Sequence, residues 1–207
     1  MRHATMLAVG LTCALAMGAA RADDVDAATH EHAVRVAVGT CGACHGATGV
    51  SEQPKYPRLA AQNANYLAAQ LKAFRAQTRG DADAIGYMWG MAAQLDDGTI
   101  DALAQYYSAQ AAGAPHAGDP ALVAKGRQIY EQGVAAVGVP ACAACHGPDA
   151  HGMGDFPRLA GQHSQYVLKQ LGSFQSNMRN VAVMHGVAQG LKLEEMRAVA
   201  AYLEAQR

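Results

Sequence analysis

The sequence has few aromatic residues, few charged residues and no clear excess of either charge. Aromatic residues make up 6% and charged residues 16% of the 207 residues, with 16 Lys and Arg against 17 Asp and Glu. The chain has no basic patch in which basic and aromatic side chains alternate, so its composition does not favour binding to nucleic acid. We expect a mildly acidic protein that binds no nucleic acid.

Long hydrophobic runs are missing after residue 20, so the sequence predicts no transmembrane anchor once its first segment is removed. In that segment, Arg2 precedes an apolar run over residues 4–20, and the Ala-Arg-Ala at 20–22 fits a small-residue cleavage pattern. These features predict a secretory signal over residues 1–22. A retained anchor helix is the less favoured alternative, because the run is short for a membrane span.

Spare cysteines are also absent. Of the five cysteines, Cys13 lies in the predicted signal. The other four form two copies of one pattern, in which two spaced cysteines are followed directly by a histidine: Cys41-Gly42-Ala43-Cys44-His45 and Cys142-Ala143-Ala144-Cys145-His146. No thiol is left for a disulfide bond.

This CxxCH pattern is typical of covalent attachment of a c-type haem. The two thiols add across the vinyl groups of the haem, and the histidine becomes an axial ligand of the iron. A zinc ribbon does not require a histidine after both pairs, and a thioredoxin-type dithiol would follow a strand in a βαβ unit. The sequence therefore predicts two covalently bound haem c groups. The predicted attachment and iron-binding residues are Cys41, Cys44, His45, Cys142, Cys145 and His146.

The two motifs belong to a longer internal repeat. The Pro-Arg-Leu-Ala stretch at 57–60, after the first motif, recurs at 157–160 after the second. Glycines and prolines between the copies are typical of a linker. We therefore expect two homologous domains, with domain 1 over residues 23–112, a linker over 113–120 and domain 2 over 121–207.

Helical periodicity dominates both copies. Apolar residues recur at intervals of three and four, as at Leu67, Leu71 and Phe74, and the alternation that indicates strands is absent. The pattern predicts an all-α fold in which each domain is wrapped around one haem. The shortage of aromatic side chains fits small cores that a macrocycle fills. Asp96 or Asp97 can cap the last helix of the first copy.

A haem that transfers electrons needs a second axial ligand opposite the histidine, and a methionine sulfur is a usual choice. The first copy offers Met88 and Met91. Met88 stands at the same distance before Leu95 as Met184 before Leu191, whereas Met91 has no methionine partner in the second copy. We therefore predict Met88 and Met184 as iron ligands, and Met91 as a packing residue.

Several neighbouring residues have two possible roles. Pro57 and Pro157 could each offer a carbonyl to the second ring nitrogen of the iron-binding histidine, or could end a loop where a helix begins. Arg58 and Arg158 could pair with haem propionates or lie on the surface. The remaining histidines, including His185 beside the second methionine, are predicted to be structural or solvated.

The two CxxCH motifs, the Pro-Arg-Leu-Ala-x-Gln segments and the methionine loops together resemble the dihaem cytochromes c4, within the class I cytochrome c superfamily. The resemblance covers nearly all of the sequence after residue 22. It implies two tandem class I cytochrome c-like domains whose propionate edges lie close together, in a periplasmic protein. One departure is Lys192, which stands where a capping serine or aspartate would be typical.

The resemblance implies an electron carrier between redox protein donors and acceptors, commonly toward a membrane-bound terminal oxidase. The alternative is a haem enzyme, or the electron-accepting cytochrome subunit of a dehydrogenase. Catalysis at the iron needs a displaceable ligand and acid–base groups beside it. No acid or histidine recurs near both methionines, so the sequence favours a carrier that is not an enzyme.

Overall fold

The computed structural model describes residues 22–207, so the predicted signal over residues 1–22 lies outside the described residues except for Ala22. The helices of the first half are α1 (Ala22–Val36), α2 (Gly42–His45), α3 (Ala64–Arg75), α4 (Trp89–Ala92) and α5 (Asp97–Ser108). Two short π-helical segments, Ala37–Cys41 and Ala84–Met88, lead into α2 and α4. Each of them ends on a residue of the predicted haem site, and such segments are common at functional sites.

The second half repeats this arrangement with regular helices. They are α6 (Pro120–Gln132), α7 (Ala143–His146), α8 (Ser164–Gln175), α9 (Ala182–Gln189) and α10 (Leu193–Glu204), with a short 3₁₀ turn at Ala135–Val137. Over residues 22–207 the only β pairing is a single bridge between Val134 and Val139. The all-α prediction is confirmed. In the same part of the chain, no helix combines the length and hydrophobicity that a membrane crossing requires.

The last helix of each half begins at the position that the sequence indicated. Asp96, rather than Asp97, caps α5, because its Oδ1 accepts a hydrogen bond from the Thr99 amide at 2.7 Å. At the start of α10, Lys192 provides no such acceptor. The Lys192 amide instead donates to the carboxylate of Glu195 at 2.7 Å, so the acidic first turn supplies the missing cap.

In each half, the last helix packs on the first, α5 on α1 and α10 on α6. These crossings bury two tyrosines. The hydroxyl of Tyr107 donates to the Ala37 carbonyl at 3.1 Å, and the hydroxyl of Tyr130 donates to the Gly147 carbonyl at 2.6 Å. Because a buried hydroxyl without a partner would cost about 1–3 kcal/mol, these bonds fix how each terminal pair of helices meets the rest of its domain.

The two halves have separate hydrophobic cores of different size. The core of the second half is one cluster that includes Tyr130, Met196 and Leu203. The first half has two smaller clusters rich in alanine, one around Leu103 and one around Phe74. Small domains bury a smaller share of their surface than large ones, so we expect the bound cofactor to contribute to both cores.

The stretch between α5 and α6 is bound to both halves. Residues 109–119 contain no helix, so most of the proposed linker over 113–120 is irregular chain, and Pro120 begins α6. The Ala114 carbonyl accepts a hydrogen bond from the Arg58 guanidinium at 2.9 Å, and the His116 amide donates to the Glu204 carbonyl at 3.1 Å. The linker is therefore part of the contact between the domains.

The crossing of α6 and α10 gives a direct test of the packing in the second domain. A Cβ added at Gly126 would overlap the backbone carbonyl of Ala198. We expect Gly126→Ala to destabilise the protein by about 1–3 kcal/mol, the usual cost of overpacking. Gly172→Ala in α8 is the matched control, because its Cβ meets nothing within 4 Å. Thermal unfolding followed by circular dichroism compares them, and equal stability of the two variants would contradict the packing described.

Candidate cofactor site

A cavity of about 1260 Å³ lies between the two halves and is lined by both of them. It exceeds the roughly 300–1,000 Å³ of a pocket for one small ligand. All residues that the sequence predicts for the haem sites line this cavity: Cys41, Cys44, His45, Met88, Cys142, Cys145, His146 and Met184. Much of the remaining lining is apolar and includes Leu71, Phe74, Leu171 and Phe174. The volume and the lining fit more than one large apolar cofactor.

Each CxxCH histidine is buried and has one ring nitrogen bonded to a proline carbonyl. His45 Nδ1 lies 2.8 Å from the Pro57 carbonyl oxygen, and His146 Nδ1 lies 3.1 Å from that of Pro157. With Nδ1 as the donor, Nε2 keeps the lone pair that a metal requires. Burial lowers the pKa of both histidines and so favours the neutral ring. Of the two roles open for the prolines, the structure supports the carbonyl acceptor.

The structure disfavours the two other roles considered for paired cysteines. Burial raises the pKa of the Cys142 thiol to about 11 and also raises the pKa of Cys41, whereas a redox dithiol requires a lowered pKa. Among the described residues, the only three His, Cys, Asp or Glu side chains that could share a metal ion are His116, His163 and Glu204. Neither CxxCH motif therefore assembles as a zinc site.

The methionines occupy unequal environments. Met88 ends the second π-helical segment and is half-buried against the cluster around Phe74. Met184 lies in α9 and is half-buried against the core of the second half. Met91 also lines the cavity, but it is 57% exposed. His185 is half-buried and makes a structural contact, since its Nδ1 lies 2.7 Å from the carbonyl oxygen of Phe174.

A pair of glutamines joins the two halves through the backbone of the two arginines at 58 and 158. Gln162 accepts from the Arg58 amide and donates to the Arg58 carbonyl, both at 2.9 Å. Gln62 makes the same two bonds to Arg158, at 2.7 and 2.9 Å. Because each glutamine belongs to the opposite half, the four bonds form a reciprocal contact, as between two related units.

The Arg58 side chain lies in this interface rather than on the surface. Its Nη1 donates to the carbonyls of Ala114 and Gly161 at 2.9 and 2.8 Å. Its Nη2 lies 3.1 Å from His116 Nδ1. The guanidinium therefore binds the linker and the second half.

A further polar group lies between the halves, and its residues are not among those that the sequence predicts for the site. It contains a buried arginine from each half and the side chains that bond them: Arg79, Arg179, Tyr66, Tyr166, Gln70, Gln170 and Asp81. We call these residues the arginine centre. All seven also line the cavity. The two arginines occupy matching positions of the internal repeat, which is the signal that could have revealed them.

The cytochrome c family profile matches two separate stretches of the chain, residues 32–109 and 123–206. The chain is 42% identical over 169 residues to cytochrome c-552 of Acidithiobacillus ferridurans, covering 79% of this chain and 72% of that protein. It is 38% identical over 174 residues to the thiosulfate dehydrogenase electron acceptor of Thiomonas intermedia, covering 81% of this chain and 78% of that protein. The structure of cytochrome c4 from Acidithiobacillus ferrooxidans matches with a TM-score of 0.75 and 42% identity, over 80% of this chain and 98% of that one.

Each matched stretch contains one CxxCH motif and one half of the fold. The chain therefore belongs to the cytochrome c family. The presence of two cytochrome c domains and the resemblance to dihaem cytochromes c4 are both confirmed. The protein is a dihaem electron-transfer cytochrome with two covalently bound haem c groups. The volume of the cavity and the donor atoms in its wall agree with this.

His163 links the start of α8 to the first domain. It is 1% exposed, and its Nε2 lies 2.9 Å from the Ser51 carbonyl oxygen. Its Nδ1 lies 3.6 Å from the Glu204 carboxylate. Burial and the nearby positive charge of Arg58 together lower the pKa of His163. The matching residue of the first copy is Asn63, which caps α3 instead.

This lowered pKa predicts a pH dependence of stability. The unfolded state binds a proton near the ordinary histidine value of ~6.5, whereas the folded state binds it only at lower pH. Stability should therefore fall as the pH drops from about 6.5 through the folded pKa. In His163→Asn, which copies residue 63, this component should disappear. Thermal midpoints of the haem-loaded wild-type protein and of His163→Asn, measured between about pH 7.5 and 5.5, test this. The prediction is contradicted if the midpoints of the two proteins change equally with pH.

Proposed function

We propose that the protein is a two-site electron relay in which each iron is bound by a CxxCH histidine and a methionine. Met88 is the proposed ligand in the first domain and Met184 in the second. The observation that carries the proposal is the single cavity that both histidines and both methionines line. Two sites that share one cavity are close enough for electrons to pass inside the molecule.

The chain's own residues prepare each site for electron transfer. When bound, the haem supplies the one-electron exchange between ferric and ferrous iron. The Pro57 and Pro157 carbonyls hold the imidazole rings in one orientation and leave Nε2 for the iron. A methionine sulfur as the second ligand favours the ferrous state and closes the iron to outside ligands.

The carboxylates in the cavity wall support a carrier rather than an enzyme. Among the described residues, three aspartates line the cavity, and each is bonded to another side chain. Asp81 accepts from Arg79 at 2.7 Å, Asp155 accepts from Asn65 at 3.0 Å, and Asp83 is ion-paired with Lys169. General acid–base catalysis needs a group that is free to exchange a proton with a substrate. The cavity therefore suits electron passage better than substrate conversion.

We further propose a periplasmic location, with redox proteins as donor and acceptor and a membrane-bound terminal oxidase as the final acceptor. The predicted signal over residues 1–22 supports the location. A second candidate role comes from the relative in Thiomonas intermedia, an electron acceptor of thiosulfate dehydrogenase. In that role the protein would be reduced by a dehydrogenase that oxidises thiosulfate. Rapid reduction by such an enzyme would favour the second role.

The ligand assignment predicts different results for two neighbouring methionines. Met88→Ala should open one iron to added cyanide or imidazole and lower the potential of that haem, because a thioether ligand favours the ferrous state. Met91→Ala should leave the ligation intact, as expected for a residue that is 57% exposed. Absorption spectroscopy follows the iron–sulfur charge-transfer band. A weakened band in Met91→Ala, together with an unchanged band in Met88→Ala, would reverse the assignment.

The relay itself predicts two redox components. An optical redox titration of the wild-type protein should require two one-electron components, because the residues around the two sites differ while the ligands are the same. Ferrous protein should not bind carbon monoxide, since in the relay a methionine would fill the second axial position of each iron. Rapid carbon monoxide binding at one haem, together with turnover of peroxide or thiosulfate, would replace the relay by the enzyme alternative.

A further inference from the structure

The segment that leads to Met88 is longer than its counterpart in the second copy. Eight residues, 80–87, lie between an arginine and Met88, whereas four residues, 180–183, lie between the matching arginine and Met184. The second π-helical segment begins directly after Asp83 and ends on Met88. The two proposed methionine ligands are therefore carried by segments of different length and shape.

Two aspartates of the longer segment bind the second domain. The Asp83 carboxylate forms an ion pair with the ammonium group of Lys169. Asp81 is 2% exposed, and its Oδ1 accepts a hydrogen bond from Gln170 Nε2 at 3.3 Å within the arginine centre. Because Lys169 and Gln170 are consecutive residues of α8, this helix of the second domain holds the segment before Met88 at two points.

The residue after each methionine makes an equivalent contact in both domains. The indole Nε1 of Trp89 donates to the carbonyl of Arg79 at 2.8 Å. In the second domain, His185 Nδ1 lies 2.7 Å from the carbonyl oxygen of Phe174. Both contacts stay within their own domain, so the difference between the two methionines lies in the segments that precede them.

The second domain has no matching hold from the first. In the internal repeat, Lys169 corresponds to Ala69, and Asp81 corresponds to Val181. Residues 180–183 contain no acidic side chain. Both the cation and the carboxylates of this contact are therefore missing on the reciprocal side of the interface. The second domain holds the methionine segment of the first domain, and the first domain does not return that contact.

We propose that Lys169 of the second domain is a positioning residue for Met88, so that ligation of the first iron depends on the docking of the domains and ligation of the second iron does not. This inference rests on the proposed ligation by Met88 and adds the residue that supports it from the other domain. A methionine leaves its iron when its segment opens, and each contact that opening breaks lowers the open fraction. The ion pair of Lys169 with Asp83 is such a contact.

Two substitutions, each of which removes one charge of this ion pair, test the proposal in the haem-loaded ferric protein. Lys169→Met and Asp83→Asn both leave a side chain of similar length. Imidazole binds an iron only after the methionine has left it, so its apparent affinity rises with the open fraction. Since the two side chains are 34% and 32% exposed, the pair is partly screened. Each variant should bind imidazole about threefold more tightly at one haem and unchanged at the other.

Two double variants show whether the pair acts through Met88. Lys169→Met combined with Asp83→Asn should bind imidazole no more tightly than either single variant, because both remove the same contact. In Met88→Ala the first iron is already open, so adding Lys169→Met should change imidazole binding at neither haem. A further response to Lys169→Met in that background would overturn the proposal.

The control is Lys72→Met, which removes an exposed ion pair with Asp101 inside the first domain and should leave imidazole binding unchanged. The proposal is also overturned if Lys169→Met or Asp83→Asn binds imidazole as the wild type does, or if both haems respond equally. Failure of the ligand assignment gives a different result, since Met88→Ala itself would then bind imidazole like the wild type. Because the two substitutions lie in different domains, poor folding of one leaves the other as a complete test.

Discussion

The burial of two guanidinium groups between the domains is the constraint on which the arrangement of the two haem sites depends. Arg79 and Arg179 are 7% and 5% exposed. A buried charge is costly unless hydrogen bonds and opposite charge compensate for it. Part of that compensation comes from the opposite domain, through Gln170 and Tyr166 for Arg79 and through Gln70 for Arg179. The arginines make these bonds only when the domains are docked, and docking fixes the spacing of the two haem sites.

The sequence predicts the parts of the site that local chemistry and the internal repeat determine. CxxCH identifies the cofactor because the covalent attachment needs that spacing, and the repeat selects Met88 over Met91 without any structure. It does not identify the partners of Arg79, because Gln170 is 91 positions away and the contact exists only after both domains have folded and docked. The contacts of the Arg58 side chain could not be predicted from the sequence either. Its carbonyl acceptors belong to the linker and the second domain, and no local pattern marks them.

The two copies keep most of the residues through which they touch, but they differ at some positions of the interface. Asn63 and His163 precede equivalent helices, yet Asn63 caps its own helix with a bond to the Tyr66 amide at 3.2 Å. His163 instead reaches the Ser51 carbonyl of the other domain. Away from the interface, Met88 is the last residue of a π-helical segment, whereas Met184 lies in the regular helix α9. The duplicated domains thus keep their CxxCH motifs and their reciprocal glutamine contacts, so the change between Asn63 and His163 alters one side of the interface without breaking it.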